Sequence, residues 1–423
     1  MGIKMKHRKK VEWTRLDNAA KIFPPTSNER DTKVFRFACE LFERVDPIIL
    51  QEALDETIEI FPLCKSVLRK GVFWYYFETS NIRPVVEEES LPVCARIYNE
   101  NRRNLLFRVF YYKNRINLEI FHALSDGTGA LWFMKSLLYQ YFTRKYKDSL
   151  KNTIPRIDYD ASISQKMDDS FLKHYTGKKL SLMVKSERAY HIRGIRREEN
   201  RMRLVEGTMS VKSVLNVAHE YNTTLTVYLT ALFMYSIYKN MPERGKKHPV
   251  VLSIPVNLRN YFESESARNF FSTINIGYHF DKDRTDLQDV IRSVNESFTK
   301  ELTEERLKNH MERLAALEHN VFTRVVPLVL KDVTLKLANR INERGITAAL
   351  SNIGKVTMPV EFTPYIRQFD VFTSARRPQI CMCSYGDNLV ISFTSPFTDT
   401  DIQKTFFQIL SKKGIDVKIA TNL

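Results

Sequence analysis

The hydrophobic positions of this chain alternate between a period of two and a period near 3.6 residues, which predicts strands interleaved with helices. Val34 to Leu41 reads as a strand. Asp46-Pro47 then opens a helix, with the aspartate as cap and the proline in the first turn. Leu50, Leu54, Ile58 and Phe61 form its apolar stripe, and Pro62 stops it. Upstream, Phe23-Pro24-Pro25-Thr26 reads as a turn, and Gly71 to Phe77 as an aromatic-rich strand. Leu105 to Tyr112 and Arg115 to His122 flank a short polar turn, a hairpin pattern. A helix follows from Thr128.

From about Lys145 to Glu206 the chain is polar and basic, contains Pro155 and lacks strong periodicity; it reads as a crossover. Ser210 caps a helix running to about His219, and Thr223 or Thr224 starts another that reaches about Lys239. Pro249 to Val256 reads as a buried strand leading to Asn257-Leu258-Arg259, Phe271 to Phe280 as a strand, and Leu287 to about Arg313 as one long charged helix. A short strand from Thr347 to Leu350 enters Ser351-Asn352-Ile353-Gly354. Strands near 379–384 and 389–395, a helix near 399–410 and a final strand complete the chain. The pattern is α/β, an α+β sandwich drawn twice, and 423 residues exceed one ordinary core. The expected division is 1–175, a crossover at 176–205, and 206–423.

Composition adds limits. Hydrophobic content of 43% and charged content of 27% are those of a globular protein, and only 13 Gly and 15 Pro argue against a long low-complexity region. The basic start is followed by no apolar run, and the longest apolar stretch, near Thr230 to Tyr238, is too short to span a bilayer. Lys6 stands where myristoylation after Gly2 would want Ser or Thr. Cys39, Cys64, Cys94, Cys381 and Cys383 are scattered and odd in number; only Cys381 and Cys383 are close, on one face of a strand, so no zinc site is expected and a reducing, cytoplasmic setting fits best.

The net charge of +16 admits nucleic acid, an anionic membrane surface or an anionic small molecule as partners. Much of the excess is local, in Lys4, Lys6, Arg8, Lys9 and Lys10 and in Lys178, Lys179, Arg193, Arg196 and Arg197. No nucleic-acid motif accompanies it, and a solvated basic surface is the simplest account.

One stretch carries candidate chemistry. Ile116, Leu118, Ile120 and His122 share a strand parity, so His122 ends a line of apolar side chains. Asp126 is placed to cap the helix that follows, and Gly127 allows a tight turn or a close ligand approach. An imidazole with a reference pKa of about 6.5, held at a strand end, suits a general base; a core histidine beside a capped helix is the plain alternative. No Gly-x-Ser-x-Gly, Gly-x-Gly-x-x-Gly or Walker loop is present. The remaining histidines share no motif or metal spacing.

His122-Ala123-Leu124-Ser125-Asp126-Gly127 resembles the His-x-x-x-Asp-Gly motif of the CoA-dependent acyltransferase superfamily, which includes chloramphenicol acetyltransferase, alcohol acetyltransferases and the condensation domains of peptide synthetases. Several members carry two adjacent histidines; here Phe121 takes the first place. The resemblance implies two chloramphenicol acetyltransferase-like lobes, each a mixed sheet with flanking helices, meeting at a tunnel. It implies His122 as base, Asp126 as a structural residue and Arg259, or another arginine, as its partner. Ser351-Asn352-Ile353-Gly354 resembles the Ser-Asn-x-Gly segment of alcohol acetyltransferase-like members, which would supply oxyanion or substrate contacts; by itself it reads first as a β-turn. The Asp-Phe-Gly-Trp-Gly motif of other branches is missing. The implied reaction is acyl transfer, most simply acetyl, from CoA to a hydroxyl or amine by direct attack, without an acyl-enzyme. Acyl-CoA would then be a co-substrate, with no bound cofactor or metal. A carrier-protein thioester donor in lipid or peptide assembly, or a non-catalytic protein keeping the fold, are the alternatives.

Overall fold

A computed structural model describes residues 12–150, 168–174, 187–280, 285–319 and 325–422. The basic residues Lys4 to Lys10 and Lys178, Lys179, and Pro155, lie outside them. The strands are β1 (Trp13–Arg15), β2 (Val34–Leu41), β3 (Ser66–Lys70), β4 (Tyr75–Thr79), β5 (Glu87–Glu88), β6 (Phe107–Tyr112), β7 (Arg115–Phe121), β8 (Arg203–Ser210), β9 (Val250–Asn257), β10 (Phe271–Tyr278), β11 (Ala348–Lys355), β12 (Ile366–Thr373), β13 (Gln379–Tyr385), β14 (Asn388–Ser395) and β15 (Lys418–Thr421). The longer helices are α1 (Pro47–Ile60), α2 (Gly127–Lys145), α3 (Val211–Glu220), α4 (Leu225–Lys239), α5 (Leu287–Glu301), α6 (Glu304–His319), α7 (Leu328–Glu343) and α8 (Asp401–Lys412).

Two mixed sheets organise these elements. The N-terminal sheet runs β12-β2-β7-β6-β5 and the C-terminal sheet β10-β9-β11-β13-β14-β8-β15, with β1-β4-β3 as a small third sheet. Side-chain alternation assigns each strand two faces. On β13, Ile380 and Met382 join the core beneath α4, whereas Cys381, Cys383 and Tyr385 join the core of the N-terminal lobe. Both cysteines of the close pair thus share one face, as their spacing predicts.

Strand order amends the expected boundary at 206. β12 lies late in the chain but pairs with β2 in the N-terminal sheet, so the C-terminal half lends a strand to the other lobe. Arg115 of β7 ties the seam, 2.6 Å from Asp370 of β12 and 3.6 Å from Glu206 of β8. Burial and the Glu206 charge push the Asp370 carboxyl well up against the pull of Arg115.

Three further readings change. Phe23–Thr26 is a helical turn, because Pro24 and Pro25 fall where helices have no intrahelical N–H to lose. Gly71 to Trp74 is the bend between β3 and β4, since Gly71 N donates to the Trp74 carbonyl at 3.0 Å. The long helix from Leu287 breaks after Glu301, and α6 restarts at Glu304. β8, β12 and α7 were not expected.

Candidate active site

Asp46 and Asp126 show how local sequence builds the site. Each caps its helix: Asp46 accepts from Ile48 and Ile49, and Asp126 Oδ1 accepts from Gly129 N at 3.0 Å. The Asp126 bond pulls the chain sharply from β7 into α2 and leaves His122 at the bend. His122 N donates to the Lys33 carbonyl at 2.8 Å, extending the ladder one step beyond β7. The imidazole therefore keeps the strand's facing. Its ring stacks on Phe23 at 4.4 Å, with Phe35 at 4.9 Å and Phe271 at 5.6 Å. Phe23 and Phe35 come from the N-terminal lobe and Phe271 from the first residue of β10, so His122 sits on the seam between lobes.

Hydrogen bonding determines which ring nitrogen keeps a free lone pair. Nδ1 lies 3.3 Å from Asn269 Oδ1. The Asn269 amide nitrogen is directed at Asp17 Oδ2, 3.4 Å away, and at the Ala123 carbonyl, 3.5 Å away, which orients its oxygen toward His122. His122's own backbone carbonyl acts on the ring in the same sense. Nδ1 faces acceptors and carries the proton, leaving the Nε2 lone pair for chemistry. Burial lowers the imidazole's pKa below the usual range, opposed by that carbonyl, Asp126 and Asn269 and aided by Lys33. Burial thus favours the neutral ring.

Asp126 does not point at the imidazole. Its Oδ2 accepts from Arg259 Nη1 at 2.7 Å and from Phe270 N at 2.8 Å. Arg259 also donates to the Ser266 and Arg268 carbonyls through Nη2, at 2.7 and 2.6 Å. Both side chains are about 5% exposed, so the pair is a buried clamp joining the motif to the 258–270 loop. Ser125 Oγ adds a bond to the Ala267 carbonyl at 2.6 Å. The loop fits so closely that a Cβ on Gly129 would stand 2.0 Å from Ala267 O, whereas one on Gly127 would meet only the tip of Ile353 at 2.9 Å. Gly129 is thus the glycine the packing requires.

Ser351 and Asn352 part company. β11 pairs in parallel with β13, Ser351 opposite Cys381 and Asn352 opposite Met382. Ser351 therefore faces the N-terminal lobe and Asn352 the helices behind the sheet. Asn352 Nδ2 donates to Thr226 Oγ1 and its Oδ1 accepts from Gly354 N, both at 2.8 Å. That commits the Asn352 carboxamide to holding the strand end, and of the two side chains expected to supply oxyanion or substrate contacts it leaves Ser351 as the one facing the N-terminal lobe. Gly354, at φ +85°, is the positive-φ residue that ends the segment.

Asn269, Asp17, Phe23 and Gly129 were missed from sequence. Asp17 is buried and raised to about 6, chiefly by burial, with Arg268 pulling it down and Asp169 pushing it up. The only hint was a polar Arg268-Asn269 pair just ahead of an apolar strand. Replacing Asn269 by Ala frees the ring to turn and removes one net hydrogen bond, about 1.4 kcal/mol or tenfold in kcat/KM. The loss falls on kcat with KM unchanged; steady-state kinetics on the variant checks this.

Beneath the motif lies a cavity of about 20 Å³ lined by Phe61, Leu63, Ile120, Leu124 and Phe133. A larger groove of about 430 Å³, between β15 and α8, involves none of the motif residues. No helix among the described residues is long and apolar enough to cross a membrane.

Comparison with known proteins bears on the fold. The alcohol acetyltransferase family model matches residues 208–369, a stretch that holds Arg259, Asn269 and Ser351 but begins after His122. No curated protein sequence matches. Among solved structures, a trichothecene 15-O-acetyltransferase from Fusarium sporotrichioides superposes with TM-score 0.62 at 11% identity, covering 95% of this chain and 94% of that one. Polyketide synthase associated protein 5 from Mycobacterium tuberculosis gives 0.59 at 13% identity, covering 94% and 96%. The starter condensation domain of rhizomide synthetase, in complex with C8-CoA, gives 0.62 at 12% identity, covering 96% and 98%. The superfamily resemblance and the two-lobed α/β fold read from sequence are borne out.

Proposed function

We propose that this chain, which has the fold of the CoA-dependent acyltransferase superfamily, moves an acyl group from a CoA thioester to a hydroxyl or amine. The observation that carries the reading is the orientation of His122, with Nδ1 turned to Asn269 Oδ1 and the Nε2 lone pair unspent. Nε2 takes the proton of the acceptor O–H or N–H as that atom attacks the thioester carbonyl carbon. The tetrahedral intermediate collapses, the C–S bond breaks, and the departing sulfur takes the proton back from the imidazolium. The products are the acylated acceptor and free CoA thiol, and no acyl-enzyme forms.

Ser351 is the side chain proposed to donate to the developing oxyanion, since its face of β11 is the one turned to the N-terminal lobe. Ser351→Ala lowers kcat about tenfold, one hydrogen bond's worth, with KM for the acyl donor unchanged. Asn352→Ala instead lowers the thermal midpoint, because its bonds are structural.

A carrier-protein pantetheine thioester is the second donor to test, because a condensation domain matches as well as an acetyltransferase. Thiol release is followed with acetyl- and longer acyl-CoAs against alcohols and amines, then with carrier-linked thioesters. Turnover with CoA donors supports the first reading, and turnover confined to carrier donors supports the second. Silence with both sinks the enzyme reading.

A further inference from the structure

α7 breaks the rule that the other outer helices obey. α5 and α8 bury their apolar residues, Val290, Ile291, Val294 and Phe298 in one and Phe406, Phe407 and Leu410 in the other. On α7, by contrast, Val329, Leu330, Val333, Leu337 and Ile341 are between 48% and 64% exposed. At 100° per residue these five occupy an arc of roughly 120°. The opposite side is pegged down: Leu328 and Asp332 are buried, and Asp332 Oδ2 accepts from Tyr75 OH at 2.8 Å. The helix cannot roll its stripe inward.

The surroundings state what the stripe suits. Lys336 and Arg340 are exposed along its edge, whereas the helix exposes no free carboxylate: Asp332 is buried and Glu343 pairs with Arg376 at 2.9 Å. The bend between β3 and β4 abuts the start of α7, where Leu328 N donates to the Val72 carbonyl and Lys331 Nζ to the Phe73 carbonyl, both at 2.8 Å. Phe73 and Trp74 on that bend are exposed, and the Arg15 guanidinium lies over Trp74 at 4.9 Å. Arg15 belongs to β1, and the sequence running into β1 holds Lys4, Lys6, Arg8, Lys9 and Lys10 without a carboxylate among the first ten residues.

We propose that α7, with Phe73 and Trp74 beside it, is a docking surface for an anionic lipid bilayer. An apolar helical face with a basic border and an aromatic edge is the pattern that lies in a headgroup layer, and a polybasic stretch adds a second attraction. A second copy of this chain fits less well, since a two-fold contact would set Lys336 and Arg340 near like charges. α7 packs against the Phe23–Thr26 turn that stacks on His122, but the exposed stripe holds none of the residues around the imidazole, and the proposal does not depend on the reaction assigned to it.

Co-sedimentation of the full chain with phosphatidylcholine vesicles, with and without phosphatidylserine, tests this. Wild type binds the anionic vesicles, less so as salt rises. Val333→Asp/Leu337→Asp and Lys336→Glu/Arg340→Glu each weaken binding at least about tenfold. All four side chains are exposed, so thermal midpoints of Val333→Asp/Leu337→Asp stay near the wild-type value. Lys336 lies close enough to act on the Asp332 carboxyl, so Lys336→Gln/Arg340→Gln, which removes charge without reversing it, is run beside the Glu pair to separate lost docking from misfolding. Equal binding to both vesicle types, no binding to either, or binding indifferent to both double variants would overturn the proposal. So would light scattering that shows a dimer dispersed by Val333→Asp/Leu337→Asp.

Discussion

Replacing His122 by Ala lowers kcat/KM for acyl transfer by at least about a hundredfold, the low end for losing a general base. The change removes the ring's packing among Phe23, Phe35 and Phe271 and its hydrogen bond to Asn269, but the fold survives because the backbone bond to Lys33 and the Asp126 cap that shape the turn remain. The pH dependence makes the test specific. The base works when neutral, and burial holds its pKa below the ordinary imidazole range, so wild-type kcat/KM stays flat through pH 7 and falls only on the acid side of about 6.5. In His122→Ala that acid limb disappears from the residual rate. Stability follows the same direction: the unfolded chain binds this proton more readily, so the contribution is complete above the unfolded pKa and is lost as pH falls through the lower folded value. Stopped thiol-release assays across pH, with circular dichroism on the variant, check both. A variant that keeps wild-type turnover would remove the general-base role.

How far the residues alone reach is set by how local the governing physics is. Capping by Asp46 and Asp126 involves neighbours within three residues, so both helix starts were readable. The line Ile116, Leu118, Ile120, His122 was readable because strand alternation is local as well. Asn269 reaches His122 across 147 positions, and nothing in spacing reports such a meeting. β12 was missed for a related reason. Its sequence holds Arg367, Gln368 and Asp370, which reads as polar; yet Gln368 and Asp370 are buried in the seam, where Gln368 donates to Asp370 at 2.9 Å and Arg115 balances the charge. Ser351 and Asn352 could not be told apart from sequence because their residue types were visible and their facing was not. Parity along β11 separates the two, but only the pairing with β13 says which face meets the other lobe.

Replacing Asp126 by Ala costs about 3–5 kcal/mol of stability, the range for stranding one member of a buried ion pair. Arg259 would keep its bonds to the Ser266 and Arg268 carbonyls but lose the carboxylate at 2.7 Å. Gly129 N and Phe270 N would lose their acceptor at the same time. The cost is coupled, so Asp126→Ala/Arg259→Ala is less destabilising than the two single changes added together, and denaturant melts of all four proteins measure the difference. Activity falls as well, since the same carboxylate fixes the turn that carries His122. The form of that loss separates clamp from proton relay. Asp126 raises the imidazole's pKa through its charge, so Asp126→Ala moves the acid limb of kcat/KM to lower pH and does not abolish it. A relay would instead make the limb disappear, as in His122→Ala. Asp126→Asn, which keeps an acceptor oxygen and the side-chain shape, recovers part of the stability while leaving the same downward shift of the limb. A limb that stays where wild type has it, in a variant that folds fully, would place Asp126 outside the electrostatics of the base altogether.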